Sequence, residues 1–291
     1  MRILLLGKNG QLGWELQRTL APLGEITALD YVELDLQDFD TLRQTVRGLR
    51  PELIVNASAY TNVDKAESES EKAYAINGTV PGILAEETAR LNAALIHYST
   101  DYAFDGAKGR PYSETDAPNP LNVYGKSKLE GEKAIQAVGL AYLILRTAWV
   151  YSLRGNSFVS KVLQWSRQNE TLRIVDDQVS NPTWARMLAE VTALVLAKGS
   201  DLIRERQGLY HLAGGGYASR FEWAQEILKL DPNRDQQAVK HLLPAATRDF
   251  PTPAQRPLFS ALDCSHFENT FGLCLPAWKD SLSMGMESDR T

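Results

Sequence analysis

The chain has 291 residues, of which 44% are hydrophobic and 23% are charged, and its formal net charge is −5. This composition is typical of globular proteins and excludes disordered and fibrous chains. An acidic chain is also a poor candidate for nucleic-acid binding, which needs a basic surface. Two cysteines and four scattered histidines argue against a disulfide framework and a zinc site, so we expect a cytoplasmic protein without a metal. No apolar run approaches the roughly 20 residues that cross a membrane.

Short apolar runs alternate with helical patterns through the first half of the chain. The runs typical of buried parallel strands are Ile3–Leu6, Ile26–Leu29, Leu53–Val55, Ala94–Tyr98 and Tyr142–Leu145. The helical patterns between them are Leu12–Leu20, Leu42–Leu49 and Pro81–Leu91. Alternating strands and helices imply right-handed crossovers, so we predict an α/β fold with a Rossmann-type, doubly wound parallel sheet.

Beyond Trp149 the alternation becomes less regular. The predicted elements are helices at Phe158–Gln168, Thr183–Ala197 and Arg220–Leu230, a strand at Leu209–Ala213, and an ordered, proline-rich loop at Leu242–Phe259. We expect the strand to return to the first sheet. The predicted division is an NAD(P)-binding domain over residues 1–150, rejoined by about residues 176–216, and a smaller, partly interwoven substrate domain over residues 151–291.

Three glycines follow the first strand in G-x-x-G-x-x-G spacing: Gly7, Gly10 and Gly13. Glycine permits a tight turn, a close approach of backbone N–H groups to a pyrophosphate, and close packing of helix on strand. The pyrophosphate then lies at a helix N-terminus, where unpaired N–H groups and the helix dipole favour an anion. The position directly after a strand therefore predicts a dinucleotide-binding turn rather than a purely structural one.

Two further segments extend this predicted cofactor site. Asp30 ends the second strand, where an acidic residue bonds the adenosine ribose hydroxyls and favours NAD over NADP. Lys8 in the glycine turn is able to pair with a 2′-phosphate, so these residues leave the choice between NADPH and NADH open. Asp35 and Leu36 are predicted contacts on the adenine side, and the small residues at 56–59 leave room for the cofactor beside the third strand.

Tyr124 has a lysine four positions later, Lys128, and residues at this spacing share a helix face. An ammonium stabilises the phenolate and lowers the pKa of the tyrosine, which then exchanges protons near neutral pH. Thr100 follows the Ala94–Tyr98 strand at the edge where parallel sheets bind ligands, and we expect it to bond a substrate carbonyl, with helix capping as the alternative. We predict Tyr124, Lys128 and Thr100 as the catalytic residues.

Longer stretches carry a family resemblance. They are GKNGQLGWEL from Gly7, NASAYTNVDKAE from Asn56, HYSTDYAF from His97, PLNVYGKSKLEGE from Pro120, LRTAWVYS from Leu145 and TPAQRP from Thr252. In these stretches, which extend over nearly the whole chain, the sequence resembles the dTDP-4-dehydrorhamnose reductase family of the extended short-chain dehydrogenases/reductases. The resemblance implies reduction of the C4 ketone of dTDP-4-dehydro-L-rhamnose to dTDP-L-rhamnose, in nucleotide-sugar biosynthesis, with NADPH or NADH as reductant.

The resemblance also implies roles at matching positions. Those implied for the cofactor are Gly7, Gly10, Gln11, Leu12, Gly13, Asp30, Asp35, Leu36, Ser58, Ala59, Tyr60, Tyr124 and Lys128. Those implied for the substrate are Thr61, Val63, Thr100, Asp101, Trp149, Asn156 and Arg256. Arg256 suits a diphosphate because guanidinium matches phosphate oxygens. The alternatives are a surface ion pair for Arg256 and core packing for Trp149.

Two departures from related patterns limit what is expected. Tyr102 stands where sugar-nucleotide dehydratases are expected to carry a second carboxylate, which argues against a dehydratase. Some members of the family form magnesium-bridged dimers through glutamates. Glu15 is present here, but Arg186 stands at the second glutamate position, and a guanidinium does not bind magnesium. We expect a monomer or homodimer without that bridge. The alternative functions are a reductase or epimerase of another nucleotide sugar and a non-catalytic, NADP-binding regulatory subunit.

Overall fold

A parallel six-stranded sheet forms the centre of the protein. The computed structural model describes residues 1–139, 141–199 and 201–288. The strands are β1 (Arg2–Leu6), β2 (Glu25–Leu29), β3 (Leu53–Asn56), β4 (Ala94–Thr100), β5 (Ala141–Thr147), β6 (Val150–Tyr151), β7 (Thr171–Val175), β8 (Val179–Ser180), β9 (Thr183–Trp184), β10 (Gly208–His211), β11 (Ala218–Ser219) and β12 (His241–Ala245). The helices are α1 (Gln11–Thr19), α2 (Phe39–Leu49), α3 (Val63–Ala66), α4 (Ser70–Tyr74), α5 (Val80–Arg90), α6 (Val123–Gln136), α7 (Phe158–Gln168), α8 (Ala185–Ala197), α9 (Asp201–Glu205), α10 (Arg220–Leu230), α11 (Ser265–Phe271) and α12 (Trp278–Ser288).

The order of strands in the central sheet is β10-β5-β4-β3-β1-β2, and every neighbouring pair is parallel. The predicted fold class is confirmed. The chain changes direction across the sheet between β1 and β3, and open parallel sheets bind ligands at such a reversal, beyond the carboxyl ends of the strands. The late strand β10 pairs with β5, whereas the division of the chain into two domains stays a prediction.

The two faces of the sheet are covered by different helices, because successive residues of a strand point to opposite sides. Ile3 and Leu5 pack in one apolar cluster with α1, α8 and α11. Leu4 and Leu6 pack on the other face in a cluster with α2, α5 and α6. The sheet is therefore buried on both sides, which explains why its strands are continuous apolar runs in the sequence.

A further apolar cluster lies in the part of the chain beyond β5. Its buried members include Tyr151, Leu172, Trp223 and Leu282, and α7, α10 and α12 contribute to it. The ring of Trp149 stacks on that of Trp223 at a centroid distance of 5.6 Å. Because Trp149 follows the end of β5, this contact brings the cluster next to the carboxyl edge of the central sheet.

Two predicted helices have the bounds that the sequence indicates, α7 and α10. Each begins after a serine, Ser157 or Ser219, whose side chain accepts a hydrogen bond from the third residue of the helix in a capping box. Among the described residues, no helix is long and apolar enough to cross a membrane.

The proline-rich segment predicted as a loop, Leu242–Phe259, is partly a strand. β12 overlaps it and pairs in parallel with β7, with Pro244 opposite Ile174. Proline lacks the N–H that a central strand needs, but in a two-stranded sheet each strand has one unpaired side. The prediction was wrong because proline was taken as a sign of irregular structure, without considering an edge strand.

Candidate active site

A cavity of about 730 Å³ lies beyond the carboxyl ends of β1, β3 and β4. The predicted residues that line it are Gly7, Gly10, Gln11, Leu12, Asp30, Ser58, Ala59, Thr61, Val63, Thr100, Asp101, Tyr124, Lys128, Trp149 and Asn156. The predicted residues that do not line it are Gly13, Asp35, Leu36, Tyr60 and Arg256. The structure therefore brings most of both predicted sets, for cofactor and for substrate, into one cavity.

The glycine turn is shaped for close approach of a ligand. Gly7 has a φ of +84°, and a Cβ atom on Gly13 would lie 1.9 Å from the carbonyl oxygen of Gly7. Gly10 is the N-cap of α1, so no side chain satisfies the first N–H groups of this helix. Oε1 of Gln11 is buried without a hydrogen-bond partner among the described residues. Free N–H groups suit a pyrophosphate and a buried acceptor suits a hydroxyl or amide donor, so these residues fit a dinucleotide.

Asp30 follows β2 and lines the cavity. Its carboxylate accepts hydrogen bonds from the backbone N–H groups of Asn9 and Tyr31, each at 2.8 Å. Lys8, expected as a possible partner of a 2′-phosphate, forms an ion pair with Glu33 at 2.6 Å. At this end of the cavity, two hydrogen bonds therefore hold the acidic side chain of Asp30, and Glu33 already balances the positive charge of Lys8.

The predicted cofactor residues outside the cavity have partners within the fold. Asp35 accepts a hydrogen bond from the N–H of Gln37 at 2.9 Å. Leu36 packs against the apolar cluster of α2. The hydroxyl of Tyr60 donates to Glu69 at 2.9 Å. These contacts give Asp35, Leu36 and Tyr60 structural roles, and direct contact of these side chains with a cofactor gains no support from the geometry.

A chain of buried polar groups fixes the position of Lys128. The Oδ1 atom of Asn56 accepts hydrogen bonds from Ser58, so its Nδ2 atom donates to Nδ1 of His97 at 3.1 Å. Nε2 of His97 lies 3.2 Å from Nζ of Lys128, which donates to the carbonyl oxygen of Tyr98 at 2.6 Å. Burial lowers the pKa of Lys128 to about 8, so this side chain is cationic at neutral pH and titrates just above it.

Tyr124 stands in the first turn of α6, after the N-cap Asn122, which accepts a hydrogen bond from the N–H of Gly125 at 2.8 Å. Burial raises the pKa of Tyr124, and a hydrogen bond with Thr100 partly offsets that rise. The sequence predicted that Lys128 lowers the pKa of Tyr124, but in the structure this pKa is raised. Tyr124 is therefore held as a neutral phenol, which carries a proton at neutral pH.

Asp101 links the end of β4 to the later part of the chain. Its Oδ2 atom accepts hydrogen bonds from the hydroxyls of Ser180 at 3.0 Å and Ser260 at 2.5 Å, and Oδ1 accepts one from Thr100 at 3.2 Å. Burial raises the pKa of Asp101 to about 6. This carboxyl therefore joins three segments at the wall of the cavity.

Arg220, which the sequence analysis did not identify, is a cation next to the lining of the cavity. Its guanidinium lies 3.6 Å above the ring of Trp149, which lines the cavity. Within the described residues no ion pair or side-chain hydrogen bond holds it, and the neighbouring groups that raise its pKa are Tyr102 and Asp101. Burial lowers the pKa of Arg220 to about 10, so it remains cationic at neutral pH. No local pattern marks this position, because a single arginine at the start of a helix has no signature.

Arg256, predicted to bind a diphosphate, is an ion-pair partner in the structure. Its two terminal nitrogens lie 2.9 Å and 2.7 Å from the carboxylate oxygens of Asp64, and one also donates to Thr252 at 2.6 Å. The structure therefore shows the ion pair of the alternative, while the role of Arg256 toward a ligand stays a prediction.

The region around Glu15 bears on the expected absence of a magnesium bridge. Glu15 is buried and its Oε2 atom has no hydrogen-bond partner among the described residues. Burial raises the pKa of Glu15, while the charge of Arg186 lowers it, and Arg186 itself pairs with Glu190 at 2.6 Å. A guanidinium at this place repels a divalent cation, which supports the expectation, although it stays a prediction.

Comparison with known proteins decides the family. A family model described as "RmlD substrate binding domain" matches residues 1–290. A dTDP-4-dehydrorhamnose reductase from Salmonella typhimurium is 44% identical over 96% of this chain and 95% of its own. The chain belongs to the dTDP-4-dehydrorhamnose reductase family.

Solved structures agree with this membership in the family. A dTDP-4-dehydrorhamnose reductase from Clostridium acetobutylicum has a TM-score of 0.92 and 35% identity, with 100% of both chains covered. One from Bacillus anthracis, in complex with NADP, has a TM-score of 0.89 and 32% identity, with 99% of both chains covered. The resemblance stated from the sequence is thereby confirmed over the whole length of the chain.

Proposed function

We propose that this protein is an NAD(P)H-dependent oxidoreductase that reduces the C4 ketone of dTDP-4-dehydro-L-rhamnose and forms dTDP-L-rhamnose. The observation that carries the proposal is that Thr100, Tyr124 and Lys128 line the same cavity as the glycine turn before α1. Relatives named for this reductase match nearly the entire chain, which supports the substrate class.

The cofactor is expected along the carboxyl edge of the central sheet. The N-terminus of α1 would hold its pyrophosphate, and Asp30 and Ser58 would bond its sugar hydroxyls. A nicotinamide dinucleotide bound here supplies the hydride that reduces the ketone. The protein contributes orientation of the two reactants and control of the proton.

Tyr124 is the proton donor to the ketone oxygen. Because burial raises its pKa, the phenol keeps its proton at neutral pH, and it gives the proton up only to a stronger base such as the alkoxide formed by reduction. Thr100, hydrogen-bonded to Tyr124, orients the phenol, while its own hydroxyl proton is donated to Asp101. Lys128 lines the same cavity, and its proposed role is to donate hydrogen bonds to the sugar hydroxyls of the cofactor.

Arg220 and Trp149 are the proposed contacts for the diphosphate of the substrate. A guanidinium without an acidic partner is suited to bidentate bonds with phosphate oxygens, and stacking on Trp149 holds its plane in place. Asn156 also lines the cavity. Thr61, Val63 and Asp101 remain the proposed contacts of the sugar.

The decisive experiment mixes the protein with freshly prepared dTDP-4-dehydro-L-rhamnose and follows the absorbance of NADPH or NADH. Parallel reactions contain the GDP- and UDP-linked keto sugars. Stoichiometric loss of absorbance with the dTDP-linked sugar is expected. An epimerase would give no net consumption, a regulatory subunit would bind the cofactor without turnover, and faster reaction of another nucleotide sugar would refute the proposed substrate.

Tyr124→Phe tests the proposed proton donor. We expect turnover to fall by about a factor of 100 or more, because general acid catalysis contributes ~10²–10⁴. Binding of NADPH or NADH, measured by fluorescence titration, should change less than about threefold, since one hydroxyl is removed and the ring remains. Tyr142→Phe, in the interior strand β5 and outside the cavity, is the matched control. Full activity of Tyr124→Phe would rule out the assignment.

A further inference from the structure

The part of the cavity around Asp30 is where a Rossmann-type fold distinguishes NADH from NADPH. The two cofactors differ only in the 2′ position of the adenosine ribose, which carries a hydroxyl in NADH and a phosphate in NADPH. An acidic residue after the second strand accepts hydrogen bonds from the ribose hydroxyls, whereas an arginine nearby accommodates the phosphate. Asp30 has the first of these positions and lines the cavity.

The segment after β2 has no cation for a phosphate. Between Arg18 and Arg43 the sequence contains no lysine or arginine, and it contains six acidic residues, Glu25, Asp30, Glu33, Asp35, Asp38 and Asp40. Arg43 itself is paired with Glu86 and Glu87 on the outer face of α2 and α5. Arg18 lies 3.1 Å from the ring of Trp14 and donates to the carbonyl of that residue.

Lys8 precedes Asn9, whose backbone N–H bonds Asp30, and the positive charge of Lys8 is already balanced. Its Nζ atom lies 2.6 Å from Oε1 of Glu33. The other carboxylate oxygen of Glu33 accepts a hydrogen bond from the backbone N–H of Asp30 at 3.0 Å. Glu33 is thus held at both oxygens, and the ion pair with Lys8 lowers its pKa, so it is anionic at neutral pH.

This arrangement opposes a 2′-phosphate in two ways. A phosphate that binds Lys8 must displace Glu33, which then loses its charged partner. A phosphate that leaves the pair intact lies beside the carboxylates of Asp30 and Glu33, and like charges at short range repel. A 2′-hydroxyl meets neither obstacle, because Asp30 accepts its hydrogen bond.

We propose that Asp30, Glu33 and Lys8 form a specificity device that makes this protein prefer NADH to NADPH. The proposal rests on the cofactor site of the proposed function but not on the identity of the keto sugar. Glu33 is the specificity-determining residue, since it both repels the phosphate and occupies the lysine that would bind it.

The steady-state test compares kcat/KM for NADH and NADPH with the same keto sugar at low salt. The wild-type protein should favour NADH by at least about tenfold. Glu33→Gln removes the negative charge and releases Lys8, so the ratio of NADPH to NADH efficiency should rise by about tenfold. Glu170→Gln, which breaks a comparable exposed ion pair with Lys240 at 2.7 Å, is the control and should leave that ratio unchanged.

A binding test separates this proposal from the proposed reaction. Calorimetric titration of the wild-type protein with 5′-AMP and with adenosine 2′,5′-bisphosphate needs no turnover, and the bisphosphate should bind at least about tenfold more weakly. This difference without reduction of any keto sugar would refute the proposed function and leave the specificity device standing. Equal or better use of NADPH, tighter binding of the bisphosphate, or an unchanged ratio in Glu33→Gln would overturn the device.

Discussion

At the scale of single residues, the cavity is organised by which groups hold protons and charge. Burial keeps Tyr124 protonated and brings the pKa of Lys128 to about 8. His97, fully buried behind Lys128, has a pKa far below its usual value because burial and the neighbouring cation disfavour its charged form. Lys128 is therefore the positively charged member of this buried pair, while Arg220 carries a second positive charge beside Trp149.

Arg220→Met tests the proposed diphosphate contact. A hydrogen bond between a guanidinium and a phosphate contributes roughly 1.5–3 kcal/mol, so kcat/KM for the dTDP-linked keto sugar should fall at least about tenfold. The affinity for NADH should stay within about threefold, because Arg220 stacks on Trp149, a proposed contact of the substrate.

Arg256→Met is the matched control for that prediction, since the guanidinium of Arg256 is paired with Asp64. We expect this variant to change the affinity for the substrate by less than about threefold. A larger effect of Arg256→Met than of Arg220→Met would restore the original prediction from the sequence.

At the scale of elements, the turn between β1 and α1 depends on contact between backbones. Gly13 in α1 packs directly on Gly7, so the helix approaches the strand end more closely than any side chain permits. The same contact directs the N-terminus of α1 into the cavity. Stability and cofactor binding are therefore coupled at this turn.

Gly13→Ala should both destabilise the protein and weaken cofactor binding. The added Cβ would lie 1.9 Å from the carbonyl oxygen of Gly7, and overpacking typically costs about 1–3 kcal/mol. Gly48→Ala in α2 meets no atom within 4 Å and should stabilise the fold by roughly 0.5–1 kcal/mol, the usual cost of glycine in a helix. Urea unfolding of both variants measures the contrast, and equal effects would contradict the packing argument.

At the scale of the whole molecule, Asp101 joins the central sheet to the later segments. Ser180 and Ser260 come from distant parts of the chain and donate to the same carboxyl oxygen. Because burial raises the pKa of Asp101 to about 6, the folded state binds a proton there that the unfolded state, with a pKa of roughly 4, has already lost. The contact of Asp101, at the end of β4, with the segments that contain Ser180 and Ser260 is therefore sensitive to pH.

Asp101→Asn should remove this pH dependence. Between about pH 4 and 6 the folded state binds more protons than the unfolded state, so the contribution of Asp101 to the free energy of unfolding falls as the pH rises and is constant above 6. A shift of about two pKa units corresponds to roughly 3 kcal/mol. The difference in unfolding free energy between wild type and variant, from urea titrations at several pH values, should decrease by up to this amount. A difference independent of pH would contradict the raised pKa.

The predictions that agree with the structure concern patterns confined to a few neighbouring residues. The glycine spacing at Gly7 and Gly10 predicts a turn because the positive φ of Gly7 and the contact of Gly10 with Gly7 are local features. Residues Ile3–Leu6 of β1 and Leu53–Val55 of β3 are continuous apolar runs because both faces of these strands are buried. Tyr124 and Lys128 line the same cavity because helix periodicity alone places them on one face.

The sequence by itself determined the parallel sheet, the dinucleotide-binding turn and the tyrosine–lysine pair, since periodicity and spacing encode all of them. Only the tertiary structure decided which charges are paired: Glu33 holds Lys8, Asp64 holds Arg256, and Arg220 is left beside Trp149. Asp64 and Arg256 are 192 positions apart, and contact between such residues depends on how whole segments pack. Whether a charge is free to meet a ligand therefore follows from packing, and no local pattern reveals it.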